Sequence, residues 1–132
     1  MKEPKWLTRL IMDAIHLDQT RKHGGRMGVR DNHLIESSLA RPIQRWNYEP
    51  DSDIATLAAA YGSGLVQNHG YLDCNRRIAF MVMYVFLAIN GWELLAPEAE
   101  VVTVMLDLAM GNLTESDLAQ WLSERMSAIG CS

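Results

Sequence analysis

The chain has 132 residues, room for one compact domain spanning 1–132 and none for a second. Hydrophobic residues make up 48%, which excludes a disordered chain. Twelve basic and sixteen acidic residues leave a net charge of −4, so the basic surplus of a general nucleic-acid binder is missing and no direct nucleic-acid binding is expected.

In chain order, Trp6, Leu7, Leu10, Ile11, Ala14 and Ile15 recur at helical spacing, and Gly24-Gly25 ends that first helix. Residues 24–30 hold three glycines and read as a loop. Asp31 is the expected N-cap of a short second helix with Leu34, Ile35, Ser38 and Leu39. Pro42 is expected to stop it, because proline lacks the amide hydrogen and clashes with the preceding turn. Residues 43–51 then form an irregular connection. Asp51 or Ser52 caps a third helix carrying Ile54, Leu57, Ala58, Tyr61 and Leu65 on one face. Gly62 and Gly64 each weaken it by roughly 1 kcal/mol relative to alanine but let a neighbouring helix come close.

After a loop at 69–73, a fourth helix runs from about Cys74 to Asn90 and ends at Asn90-Gly91. It is apolar on almost all sides, which places it in the middle of a bundle. Its apolar run, Ile78 to Ile89, is too short to span a bilayer, so no membrane association is expected. Residues 92–95 are too short to assign. Pro97 opens a fifth helix that stops at Gly111. Thr114 with Asp117 resembles a capping arrangement for a sixth, with Leu118, Trp121, Leu122 and Met126 as its stripe. The expected fold is all-α, a compact bundle of about six helices around a central apolar helix. Two cysteines, Cys74 and Cys131, are no disulfide framework and suit a reducing cytoplasm. Residues 1–6 lack the layout of a signal peptide.

Chemistry concentrates in His69 to Arg77. A histidine past the end of one helix is followed four residues on by Asp73, and Asn75, Arg76 and Arg77 open the next helix. A helix start offers free N–H groups and partial positive charge, which suit a phosphate, and arginines add matched donors. A carboxylate beside them makes sense if it holds Mg²⁺ against phosphate oxygens. Histidine is the side chain best suited to take a proton near neutral pH. The competing reading makes His69 a surface loop residue, Asp73 an N-cap and the arginines a solvated face. Against it, both arginines begin the most apolar helix, and charge at such a place implies a pairing partner or an opening onto a cleft.

The pattern His69-x-Tyr71-x-Asp73-x-Asn75-Arg76-Arg77 resembles the Fic/Doc signature, His-x-Phe-x-Asp/Glu-Gly/Ala-Asn-Gly/Lys-Arg, and is nearest to its Doc (death on curing) branch. His23-Gly24-Gly25, Gly28-Val-Arg30-Asp31 and Leu39-Ala-Arg41-Pro42 before the loop extend the likeness, as does Phe86-Leu-Ala-Ile-Asn90-Gly91 after it. The resemblance implies an ATP-using toxin of a bacterial toxin–antitoxin system, cytoplasmic, arresting translation by phosphorylating elongation factor Tu. It assigns His69 as the base that activates the target hydroxyl, Asp73 as the Mg²⁺ ligand, and Asn75, Arg76 and Arg77 as nucleotide-phosphate contacts, with Tyr71 as an apolar anchor. It implies a partner antitoxin whose disordered C-terminal tail folds into a groove on the toxin, with Trp6 and Ile11 as candidates to line it.

The chain departs from the pattern at three places. Arg76 stands where AMP-transferring members have glycine and Doc has lysine, which leaves protein adenylylation as the alternative to phosphoryl transfer. Cys74 replaces the usual Gly or Ala. Phe80 stands where longer Fic motifs carry a second arginine. No glutamate precedes a Gly or Asn, so a built-in inhibitory helix of the Ser/Thr-x-x-x-Glu-Gly/Asn type is not expected. A catalytically degenerate module that only engages an antitoxin is a further alternative. His16, His23 and His33 match no zinc spacing, so no metal role is expected of them. A helix-turn-helix DNA binder is disfavoured by the acidic charge.

Overall fold

The computed structural model describes residues 2–130; Met1 and Cys131, both used above, lie outside them, as does Ser132. Six helices follow one another, with a small sheet near the end. They are α1 (Arg9–His23), α2 (Asn32–Tyr48), α3 (Ile54–Asn68), α4 (Asn75–Ile89), β1 (Trp92–Leu94), α5 (Glu98–Met110), α6 (Glu115–Arg125) and β2 (Met126–Ala128). The all-α bundle expected from the periodicity is present.

The apolar run of α4 predicts that it is the centre of the bundle, but the helix buried on every side is α3, with twelve of its fifteen residues buried. It packs against α2, α4 and α6. Its run of alanines and glycines is the reason: small side chains let neighbours approach, and a Cβ on Gly62 would overlap Met83 Sδ on α4. Helix α4 lies beside it, burying Ile78, Ala79, Val82, Met83, Phe86 and Leu87. Tyr61 on α3 is fully buried and its hydroxyl accepts from Leu7 N–H at 3.1 Å; burial pushes its pKa up to about 12.

Four further expectations are corrected. Pro42 does not end α2, and residues 43–48 are helical. An interior proline costs a helix about 3 kcal/mol. Here Ile35, Leu39 and Pro42 are buried, with Trp46 packed against the core on the same stripe, so tertiary contact carries the helix through. Second, the N-cap of α3 is Asp53, whose side chain accepts from Thr56 N–H at 2.8 Å. Third, α1 begins at Arg9 and buries Met12, Ile15, His16, Gln19 and Thr20. Leu10 is left 80% exposed, while Leu7 reaches the core from the extended segment before the helix. Fourth, Met126 belongs to β2, which pairs antiparallel with β1 (Trp92↔Ala128, Leu94↔Met126). No helix is long and apolar enough to cross a membrane among the described residues.

Asn90 ties the N-terminal segment to the far end of α4. Its amide donates to Lys5 O at 3.0 Å and accepts from Lys5 N–H at 2.8 Å. The loop of interest lies at the opposite end of that helix.

Candidate active site

Residues 69–74 connect α3 to α4, and the loop between α1 and α2 is laid against them. Val29 and Tyr71 form an antiparallel bridge. Leu72 N–H donates to Gly28 O at 3.0 Å, while Arg30 and Asp31 N–H groups both donate to Gly70 O, at 2.8 and 3.0 Å. Gly70 is required by this closeness: a Cβ there would lie 2.5 Å from Ile35 Cγ1 and 3.2 Å from the Ile35 backbone nitrogen.

His69 is the C-cap of α3 and adopts a left-handed conformation, φ 49 and ψ 49, uncommon for a residue with a side chain. Its backbone is held on both sides. His69 N–H donates to Leu65 O at 3.3 Å. Arg30 Nε donates to His69 O at 2.6 Å and Arg30 Nη2 to Asn68 O at 2.8 Å, so one guanidinium satisfies two carbonyls at the end of α3. The His69 side chain is exposed and makes no hydrogen bond among the described residues. The geometry thus fixes the backbone and leaves the imidazole available.

Tyr71 is 1% exposed and anchors the loop. Its ring stacks on His16 with centroids 4.4 Å apart, and its hydroxyl donates to Asp13 Oδ1 at 2.8 Å. Burial, then that bond to a carboxylate, raises its pKa well above the usual phenol range. Arg9 holds Asp13 from the other side, Nε to Oδ1 at 3.0 Å. His16 is buried and its Nε2 accepts from Gly28 N–H at 3.3 Å, so the ring is neutral at that nitrogen. Burial lowers its pKa, with Asp13 opposing.

Asn75 spends its side chain on the loop. Its oxygen accepts from Tyr71 N–H at 3.2 Å and its amide donates to Tyr71 O at 3.0 Å. An asparagine amide has two hydrogens, so one remains for a phosphate oxygen. Asp73 is exposed, with Oδ1 accepting from Cys74 N–H at 3.0 Å and Oδ2 from Arg26 N–H at 3.3 Å. These two bonds, followed by the charges of Arg26 and Arg77, hold its carboxyl below the usual range. It is therefore a fixed carboxylate at neutral pH with lone pairs to spare, which fits a hard divalent cation. No group of three or more metal-ligating side chains occurs among the described residues, so a cation here would take most of its oxygens from elsewhere.

Cys74 precedes α4 in a left-handed conformation, φ 65, and gives the helix no side-chain cap. A positive φ explains why glycine suits this place in related loops. Its thiol donates to Gly24 O at 3.3 Å, and Arg77 Nη1 lies 3.8 Å from Cys74 Sγ. Arg76 and Arg77 are both exposed, and Arg76 has no hydrogen bond or ion pair from its side chain among the described residues. The first turn of α4 therefore presents free N–H groups and two guanidinium groups without an acidic residue. A shallow depression of about 400 Å³ between α2 and α6 lies far along the bundle and is spanned by the Arg41–Glu115 ion pair; it shares no residue with this site.

All five residues singled out from the sequence thus sit on one loop and the helix it opens. The sequence reading missed the supports: Arg30, Asp13, His16 and Gly70. Arg30 stands in the Gly28-Val-Arg30-Asp31 likeness without a role, and His16 offers a histidine three residues after an aspartate; Asp13 and Gly70 carry no signal of their own.

Comparison with known proteins identifies relatives of the chain. A protein named toxin Doc, from Mycolicibacterium smegmatis (strain ATCC 700084 / mc(2)155), is 39% identical to this chain over 75 residues. The aligned stretch covers 55% of this chain and 57% of that protein, little more than half of either. Residues 6–87, which include the whole candidate site, match the profile of the Fic/DOC family. The chain belongs to the Fic/DOC family.

Proposed function

We propose that this protein is a Doc-like bacterial toxin, a transferase that moves the γ-phosphoryl group of ATP onto a hydroxyl side chain of elongation factor Tu and so arrests translation in the cytoplasm. The observation that carries this reading is the first turn of α4, uncapped and bearing Arg76 and Arg77, beside a fixed carboxylate and a free imidazole on the same loop. In-line phosphoryl transfer asks the protein mainly for positioning and charge neutralisation.

The nucleotide phosphates lie against the N–H groups of the first turn of α4, with Arg77, Arg76 and the spare Asn75 hydrogen as side-chain donors. Asp73 holds Mg²⁺, which when bound neutralises phosphate charge and orients the oxygens. His69 takes the proton of the target hydroxyl as its oxygen bonds to the γ-phosphorus and the bond to the β-phosphate oxygen breaks, releasing ADP. The constrained His69 backbone keeps the base in one place through this step. A partner antitoxin with a disordered C-terminal tail restrains the toxin by folding onto it. The half-buried Trp6 and Ile11 of the sequence reading, and the exposed Leu10 between them, are the apolar groups available on that side.

The second reading is AMP transfer by the same residues, with the α-phosphorus as the centre attacked. Intact-mass measurement of elongation factor Tu after incubation with the protein, ATP and Mg²⁺ separates the two. Gain of one phosphate is expected, absent with His69→Ala. Gain of AMP on any supplied protein replaces the kinase reading by adenylylation. No adduct and no nucleotide binding, with growth arrest retained by His69→Ala, leaves a module that acts by binding alone.

A further inference from the structure

Charge is distributed unevenly along the chain. Residues 78–124 contain seven acidic residues and no lysine, arginine or histidine. They form most of α4, β1, α5 and α6. Within them α5 buries only Met105 and Leu108 fully, and on its other side leaves Val102 61%, Leu106 41% and Met110 65% exposed. These three recur at i, i+4 and i+8, so they line up as one apolar ridge about 12 Å long. Exposed Ala99 and Ala109 widen it without raising it. Glu98 continues the same row at its N-terminal end and Asp107 borders it beside Leu106, and neither has a salt-bridge partner among the described residues. Glu100 is different: it accepts from Trp121 Nε1 and pairs with Arg125, so it belongs to the α5–α6 packing. The ridge lies beyond residue 87, where the match to the family profile ends.

An apolar ridge with acidic borders selects its occupant by charge. A second copy of this chain would bring two acidic faces together, since residues 78–124 offer no cation to answer their seven acids, which is repulsive. An anionic bilayer or a nucleic acid would be repelled for the same reason. What remains is a protein segment that is apolar in the middle and basic at the edges. The helical spacing of the ridge suits the groove of another helix. We propose that the outer face of α5 is a docking site for an amphipathic helix of a partner protein with lysine or arginine beside its apolar stripe. This proposal is independent of the reaction at the α4 site.

The probe is a synthetic helical peptide with leucines along one stripe and lysines on both flanks. Its controls are the same composition scrambled and the same stripe flanked by glutamates. Each is titrated into the full-length protein by calorimetry, with amide-resolved NMR to locate the contact. Saturable binding of the lysine-flanked peptide is expected, with shifts concentrated in residues 98–110. Leu106→Ser removes apolar surface without changing charge, and Asp107→Lys reverses one border. Each should weaken binding tenfold or more, while the exposed position keeps the melting temperature near that of the parent. Four outcomes overturn the proposal: no binding, equal binding of the scrambled peptide, shifts that map away from α5, or unchanged affinity in both variants. Concentration-dependent dimerisation abolished by Leu106→Ser, without peptide binding, assigns the face to a second copy instead. Anionic vesicles that compete with the peptide for the parent protein assign it to a membrane.

Discussion

The N-termini of α4 and α6 are built in opposite ways. At α6, Thr114 Oγ1 accepts from Asp117 N–H at 3.0 Å and Asp117 returns the bond to Thr114 N–H at 3.1 Å. Glu115 and Asp117 add negative charge where the helix dipole is positive. At α4 no side chain caps the first turn, no acid lies in it, and two arginines oppose the dipole. Helices α1, α2 and α3 follow the α6 pattern with Thr8, Asp31 and Asp53. α5 lacks a capping side chain but has Glu98 and Glu100 in its first turn. Only α4 combines an open end with cations. A helix end that gives up capping on its own account can take an anion from outside, which is what the proposed reaction asks of it.

The comparison breaks most visibly at Arg77. Removing it should cost function and spare the fold. Arg77→Ala is expected to lower ATP-dependent labelling of the target by roughly tenfold to 100-fold, the worth of charge-assisted hydrogen bonds of about 1.5–3 kcal/mol. Its melting temperature should match or slightly exceed the parent's, because a cation at a helix N-terminus is unfavourable without its anion. A large loss of thermal stability with unchanged labelling would make this arginine a structural residue and end the contrast.

Gly70→Ala acts one step earlier, on the backbone that presents the open end. The new methyl group must displace Ile35, whose backbone nitrogen is also close. Overpacking of this kind costs about 1–3 kcal/mol. It should also loosen the Gly70 carbonyl from Arg30 and Asp31, so melting temperature and labelling fall together. Ile35→Ala, which removes the obstructing Cγ1, should make the double variant less damaged than the sum of the two single variants.

How much of this was legible in the sequence follows the range of the contacts involved. Helix periodicity is local, so six helices could be read. The run His69 to Arg77 is contiguous, so its residues could be read together. Pro42 misled because its local penalty is outweighed by packing of the stripe from Ile35 to Trp46, which only the folded chain supplies. β1 and β2 are three residues each and exist only because Leu94 meets Met126, so neither has a pattern of its own. The same holds for the site's supports. Arg30 reaches the His69 carbonyl across 39 positions, and Tyr71 reaches Asp13 across 58. A residue whose role is to hold another's backbone carries no motif unless the partner is already placed.

At the α6 end the expectation reverses. Thr114→Ala removes one half of the reciprocal cap and should cost about 1 kcal/mol of stability. For a chain of this length that lowers the melting temperature by roughly 4 °C. Labelling at the temperature of assay should not change, since α6 contributes nothing to the loop. The pair Arg77→Ala and Thr114→Ala thus forms a crossed test, one losing function and the other stability.

The smallest effect expected is a pH dependence, and it sharpens the comparison by showing what stands behind the open end. The α6 cap is closed by Thr114 and Asp117 with no histidine in it. The loop before α4 depends on His16 remaining neutral, because its Nε2 accepts from Gly28 N–H and its ring lies against Tyr71. Burial lowers the His16 pKa from its ordinary 6.5, with Asp13 partly offsetting the shift. The unfolded chain therefore takes up this proton at a higher pH than the folded one. Stability from His16 is complete above about pH 6.5 and is lost as the pH falls from there through the lowered folded value. Melting curves taken from pH 8 downward should show the parent losing stability more steeply below pH 6.5 than His16→Gln, whose side chain cannot titrate. Parallel curves would mean that His16 takes up its proton equally in the folded and unfolded chain, so that its bond to Gly28 N–H adds no pH-dependent stability.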